Sequence, residues 1–391
     1  MVCVGIDVAK DKHDCFILSS EGEVLADVFT VTNNREGFET LLHTIRSVTS
    51  PQDKIKVGLE ATGHYSYNIL GFLLDNGLDS FVINPLHTNL YRKSLSLRKT
   101  KTDRVDARTI ATMLMSDVDL KSYTDTSYHN EELKSLTRYR FEKVRERAKL
   151  KSSVTRLVTI LFPELEKMVT TLHMTSVYAL LGEFPGAHYI AKAHLTKLTN
   201  LLSHASHGRY YKEDAERFRN AARASVGACM PAKSLELKHT IHLIQILDAE
   251  IAEIEKEIKK IMNDIKSPIT TIPGVGDTMA AAILAEVGDF SRFSSPDKVL
   301  AYAGLSPTTY QSGQLVNCYS HMEKRGSKYL RYALYNCTKC VCIWDPNFAE
   351  YLAKKRAEGK HYNVAISHAA KKLVRLIWAM EQTRQPYHIA A

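Results

Sequence analysis

The first thirty residues place apolar and polar positions in three short runs, "VCVGIDVA", "HDCFILSS" and "EVLADVFTV", broken by the turn-like "KDK" and "EGE". Short runs rich in β-branched residues and bounded by turn formers predict three consecutive hairpin strands. The period then changes. Residues 35–48 read as a helix, "KIKVGLEATG" as an alternating strand ending at Glu60 and a Gly-containing turn, residues 65–76 as a second helix, and "SFVINP" as a buried strand. Three hairpin strands followed by alternating helix and strand predict a mixed sheet with helices around it.

That element order is the order of the ribonuclease H fold. After residue 103 the pattern is helical. "DRVDARTIATMLMS" opens it, and a long helix follows over 133–161 with Leu136, Leu150, Val154, Leu157 and Leu161 apolar and more basic than acidic side chains. Over 234–265, Ile244, Leu247, Ile251, Ile254, Ile258, Ile261 and Ile265 recur three and four apart, which is a coiled-coil seam. The seam could pair with the first long helix or with another protomer. Between these helices, residues 166–233 form a helical insert with a basic run, to which the sequence assigns no role.

The last region opens with "ITTIPGVGDTMAAAILAEVGDF", where Gly274 and Gly276 lie between a short apolar stretch and a small-residue helix. This is the arrangement of a helix-hairpin-helix, whose glycine turn lets backbone N–H groups approach a DNA phosphate; a plain tight turn between packed helices is the alternative. "HMEKRGSKYLRYAL" is a basic turn leading into a helix, and "HAAKKLVRLIWAM" a further basic helix. The expected division is an α/β domain over 1–128, a helical coiled-coil region over 129–266, and a helical C-terminal domain over 267–391.

Composition narrows the function classes. A net charge of +9 favours a polyanionic partner, since phosphate backbones release counterions on meeting Lys and Arg. The N-terminus has an acidic residue at position 7 and no apolar core, and no stretch reaches membrane-spanning length. A soluble, intracellular protein with no membrane partner is expected. Seven cysteines scattered along 391 residues fit reduced thiols better than a disulfide framework. "CTKCVC" lacks a second Cys or His pair at ligand spacing, so its cysteines read as helix residues rather than zinc ligands.

The chemistry resides in the acidic residues. Asp7 ends the first strand and Glu60 a later one; Asp103 and Asp106, three apart in "KTDRVDA", share one helix face. A mixed-charge helix surface with local pairing would account for the aspartate pair alone. In a ribonuclease H sheet the first and fourth strands are neighbours, so Asp7 and Glu60 can converge and a helix laid over the sheet can bring the pair to them. Converging carboxylates repel unless cations hold them together. Hard oxygen ligands suit Mg2+ or Mn2+, and two such ions roughly 4 Å apart activate an attacking oxygen and stabilise the leaving one in phosphodiester chemistry. Arg98, Lys99, Lys101, Arg104 and Arg108 then read as phosphate contacts around an acidic centre.

The motifs "GIDVAK", "LEATGHY", "VINP", "KTDRVDA", "IPGVGDTMAAAILAEVGDFSRF", "AYAGLSP", "QSG" and "KRGSKYLRYAL" resemble those of DEDD transposases of the insertion sequence 110 family, relatives of the pilin-gene invertase, over nearly the whole chain. The resemblance implies a RuvC-like first domain, similar to Holliday-junction resolvases, with an acidic tetrad at Asp7, Glu60, Asp103 and Asp106. It implies a serine nucleophile at Ser312, which the residues alone do not distinguish from Ser306 or Ser320. An attacking serine conserves the phosphodiester bond energy in a phosphoserine link, and Lys324, Arg325 and Lys328 would stabilise the charge that develops. It further implies donor and target DNA, a noncoding guide (bridge) RNA, and a dimer or tetramer in which one protomer's tetrad meets another's serine. The location so implied is the cytoplasm of a prokaryotic cell, at the nucleoid when active. Residues 166–233 are long relative to shorter family members.

Three rivals remain on the residues. A Holliday-junction-type or other metal-dependent hydrolase of the same fold would use water as nucleophile. An actin-like ATPase could share "GIDVA" but needs a second phosphate loop and a duplicated domain, and neither is found. A nucleic-acid-binding scaffold without catalysis leaves the four carboxylates unexplained.

Overall fold

The computed structural model describes residues 1–60, 63–83, 85–95, 103–116, 125–307, 311–312, 315–316 and 322–388, with the backbone alone for 63, 85–87, 95, 103–104, 125–130, 311–312 and 315–316. Arg98, Lys99 and Lys101 lie outside the described residues. The chain divides into two compact units, Met1–Tyr128 and His129–Ala391.

In the first unit, β1 (Val2–Val8), β2 (Lys12–Ser19), β3 (Val24–Thr32), β4 (Ile55–Glu60) and β5 (Asp79–Ile83) form a sheet of order β3-β2-β1-β4-β5. β1 is antiparallel to β2 and parallel to β4, and β4 is parallel to β5. β1 is central and covered on both faces, which is why "VCVGIDV" reads as a nearly continuous apolar run. Val2, Val4, Ile6 and Val8 pack on one face with Val57 and Leu59 from β4, against Leu41 and Ile45 of α1 (Arg35–Ser47) and Ile69 and Leu73 of α2 (Ser66–Asp75). Asn34 starts α1 by accepting a 2.8 Å hydrogen bond from the Gly37 amide.

The opposite face carries Cys3, Phe16, Leu18, Phe81 and Ile83, and packs against Ala107, Ile110, Ala111 and Leu114. These belong to α4 (Asp103–Met115), which α3 (Pro85–Leu95) flanks. Gly5 and Gly58, paired in register across β1 and β4, let α4 settle onto the sheet. A Cβ on Gly5 would fall 2.1 Å from the Ala107 carbonyl oxygen, and one on Gly58 would fall 2.8 Å from Leu114 Cδ1.

In the second unit, α5 (Asp125–Leu161) runs out and α11 (Pro231–Ile265) returns antiparallel to it. Arg140 pairs with Glu255 at 2.6 Å, Lys143 with Glu250 at 2.7 Å, Arg147 with Asp248 at 2.5 Å and Arg156 with Glu236 at 2.8 Å, so numbers rise on one helix as they fall on the other. The seam on α11 is thus answered within the chain. The basic excess of α5 serves this ladder in good part.

Between them, α6 (Leu165–Met168), α7 (Thr175–Glu183), α8 (Ala187–Lys192), α9 (Leu195–Ala205) and α10 (Lys212–Arg223) build a core with the end of α5 and the start of α11. A second core joins Ile254, Ile258 and Met262 of α11 to α12 (Asp277–Val287), α13 (Pro296–Tyr302), α14 (Lys328–Trp344), α15 (Pro346–Ala357) and α16 (Tyr362–Thr383). A two-residue hairpin, β6 (Gln311–Ser312) with β7 (Leu315–Val316), lies between α13 and α14. Cys337 and Cys342 turn into this core from α14, and burial pushes their thiols up to about 12 and about 11. Among the described residues, no helix is long and apolar enough to cross a membrane.

Candidate active site

Strand alternation decides which side chains meet α4. On β1, Cys3 faces α4 and Gly5 lies directly beneath it, so Asp7, two residues on, takes the same face. By the same alternation Glu60 follows Gly58 on β4. Ile6 and Leu59 are register partners, so Asp7 and Glu60 stand one residue further along neighbouring parallel strands. Asp106 is in the first turns of α4, one residue before the Ala107 carbonyl that bears on Gly5. Asp103 opens the same helix, its side chain outside the described residues.

The row continues to a carboxylate that sequence reasoning missed. Asp14 on β2 is the register partner of Asp7 and is buried, and Thr30, its own partner on β3, donates a hydrogen bond to it. Three carboxylates therefore follow one another across β4, β1 and β2 on one face, an arrangement in which like charges oppose each other. The hairpin pairing of "GIDVAKDKHD" carried that signal.

α3 supplies two partners that no sequence pattern announced. Thr88 donates a hydrogen bond to Glu60 Oε1. One turn on, the Arg92 guanidinium lies 2.7 Å from Asp106 Oδ1, and it donates a second hydrogen bond to Asn89 at 3.0 Å. Oxygen donors from three elements suit a hard divalent cation. Among the described residues, which leave out the Asp103 side chain, no group of three or more His, Cys, Asp or Glu side chains is placed to hold a metal ion.

The expected cationic contacts divide. Arg108 leaves the acidic row, pairing with Asp27 at 2.5 Å and covering the Phe16 ring. Lys324 and Arg325 are exposed on a turn that Arg331 fastens by donating to the Ala303 and Lys324 carbonyls at 3.1 and 3.3 Å. Lys328 is drawn to Glu142 at 3.1 Å and lies over the Tyr329 ring; the hydrogen bond to Glu142 raises its pKa. Beneath this turn Ser327 caps α14 and donates to Glu286 at 2.6 Å, and Arg138 from α5 grips the same buried carboxylate at 2.5 and 3.1 Å.

Gly274 and Gly276 also differ. Gly274 has φ +89°, and a Cβ there would fall 2.7 Å from the Cys340 backbone, so packing against α14 requires this glycine. The open turn expected for phosphate approach is therefore not found at Gly274. Gly276 has open space around it and caps α12. The segment before the turn is a four-residue 3-10 helix, Pro268–Thr271, rather than a full first helix. Ser312 pairs through its backbone with Leu315.

Residues 4–163 match the family model of the DEDD transposases of IS110, and residues 266–353 match that described as Transposase IS116/IS110/IS902 family. The chain is 25% identical to the "Insertion element IS116 uncharacterized 44.8 kDa protein" of Streptomyces clavuligerus, over 97% of this chain and 94% of that protein. It is 24% identical to the "Pilin gene-inverting protein" of Moraxella bovis, over 98% and 97%. To the "Mini-circle putative transposase for IS117" of Streptomyces coelicolor it is 26% identical over 80% and 78%. Matched by both family models over more than half its length, and aligned nearly end to end with such relatives, the chain belongs to the IS110 family of transposases: a DNA transposase/recombinase, with DNA as its substrate.

Proposed function

We propose that the protein cuts and rejoins donor and target DNA through a covalent phosphoserine at Ser312, with divalent metal held by Asp7, Glu60, Asp103 and Asp106. The observation that carries this reading is the placement of Asp7 and Glu60 at one level on neighbouring parallel strands, under the helix that bears Asp106. The strand order β3-β2-β1-β4-β5 supports a ribonuclease H-like, RuvC-like domain over 1–128. The remaining divisions read as a helical coiled-coil region over 129–266 and a transposase domain over 267–391 with a compact helix-hairpin-helix.

Mg2+ or Mn2+ bound there would supply Lewis-acid stabilisation of charge on the phosphodiester oxygens. The protein's own part is to hold the oxygen ligands on a rigid sheet and helix. Exposed Lys324 and Arg325 meet phosphate charge, as do Arg98, Lys99, Lys101 and Arg104, while Gly276 leaves its turn open to a phosphate. Arg108 and Lys328 exchange surface carboxylate partners for phosphate when nucleic acid is present. The protein acts in a prokaryotic cytoplasm as a homo-oligomer, guided by an element-encoded noncoding RNA.

The test is a denaturing-gel search for a protein–DNA adduct, with Mg2+, labelled element-junction and target DNA, and transcripts of the element's flanks. An adduct formed by the wild type and lost in Ser312→Ala is expected. Cleavage without an adduct, equal in both proteins, would assign the attack to water and the protein to hydrolysis.

A further inference from the structure

The tetrad reading leaves unexplained why a cation of the protein itself sits on one of the four carboxylates. Arg92 is largely buried, with side-chain exposure of 23% against 16% for Asp106, and Asn89 holds the same guanidinium from the preceding turn. Thr88, four residues before Arg92, engages Glu60. Residues four apart share a helix face, so one face of α3 binds a strand carboxylate and a helix carboxylate together. A guanidinium at 2.7 Å and a divalent ion compete for the same oxygen, because each is stabilised by the same negative charge.

We infer that Arg92 is a built-in counter-ion that occupies Asp106 in the ion-free protein and must release it for a divalent cation to bind, so that α3 sets the metal concentration at which the site fills. This rests on the metal reading above. Arg92 is a positioning residue in this scheme. It keeps the crowded carboxylates neutralised when no metal is present and opposes premature occupancy. The net exchange is simple: one guanidinium leaves Asp106 and one hydrated Mg2+ or Mn2+ sheds water ligands to take its place.

The experiment is a Mn2+ titration of the full-length protein without nucleic acid, read by the electron paramagnetic resonance signal of free Mn2+. Wild type would be compared with Arg92→Gln, Arg92→Lys, Asn89→Ala and Asp106→Asn, each checked for folding by circular dichroism. Loss of a competing charge from a mostly buried carboxylate should tighten Mn2+ binding about tenfold in Arg92→Gln. Arg92→Lys should stay near wild type, Asn89→Ala should show a smaller gain, and Asp106→Asn should bind more weakly. Equal or weaker binding by a folded Arg92→Gln, with wild type saturable, would overturn this inference alone. If Arg92→Gln does not fold, Asn89→Ala decides, and no gain there overturns it. No saturable site in wild type or Arg92→Gln would overturn the metal reading and this inference with it.

Discussion

Gly5 on β1 and Ala107 on α4 approach so closely that a Cβ on the glycine would stand 2.1 Å from the alanine carbonyl oxygen and 2.6 Å from the Ala111 nitrogen. Both obstacles are backbone and cannot swing aside. Gly5→Ala should therefore lift α4 from the sheet and cost about 3 kcal/mol or more, beyond the usual range for overpacking. Gly58→Ala meets the side chains of Leu114 and Ile110 rather than backbone, the Ile110 methyl being fixed by its branched Cβ, and should cost less, about 2 kcal/mol. Urea denaturation of the two variants checks the order.

Asp7→Asn, Glu60→Gln and Asp106→Asn should each reduce strand transfer on the order of a hundredfold or more, while DNA binding in a mobility-shift assay is retained. Asp7→Asn should keep stability within about 1 kcal/mol, since it also removes a like charge directly opposite Asp14. Full strand transfer in any of these would remove the carboxylate site.

The Glu286 carboxylate is almost wholly buried, while Arg138, its bidentate partner, is two-fifths exposed. Arg138→Met would leave the carboxylate with Ser327 alone. Breaking a buried pair costs several kcal/mol, and the exposure of Arg138 reduces this to about 2 kcal/mol. Glu286→Gln should cost less, because it leaves no buried charge. Thermal denaturation, read at the transition of the core that holds Glu286, distinguishes them.

His13 is fully buried on β2 and stacked on Phe38, and neither ring nitrogen makes a well-formed hydrogen bond. Burial pushes its pKa down, an effect the nearby Asn33 and Asp14 offset in part. The folded pKa lies below the unfolded one, so the unfolded chain binds the proton more readily. The stability associated with neutral His13 is complete above about pH 6.5 and declines as pH falls from there through the folded value. His13→Phe should flatten the melting temperature over that window; an unchanged slope would assign it to other groups.

The sheet was legible because its strands are short apolar runs between unmistakable turns, and the placement of Asp7 and Glu60 on neighbouring strands was legible because each ends such a run. α11 was legible from its isoleucine spacing, but its partner was not: the carboxylates that choose α5, such as Glu255 and Asp248, look like any solvated face until both helices are placed. Arg92 and Thr88 lie in a segment without periodicity that marks a role. Their pairing with Asp106 and Glu60 is a tertiary contact. Gly274 misled for a related reason, since a glycine needed for packing and one needed for phosphate look the same in sequence.

The α5–α11 hairpin separates two hydrophobic cores along its length, one at the tip where α6–α10 join the two helices and one near the base where Arg138 meets Glu286. The twenty-odd residues between them on α5 span about 30 Å at helical rise. Insertions or deletions near the tip are therefore insulated from the turn at Lys324–Arg325, and the length of the segment after residue 165 can drift without being felt at the other end. Heating should melt the two ends as separable events, each governed by its own core.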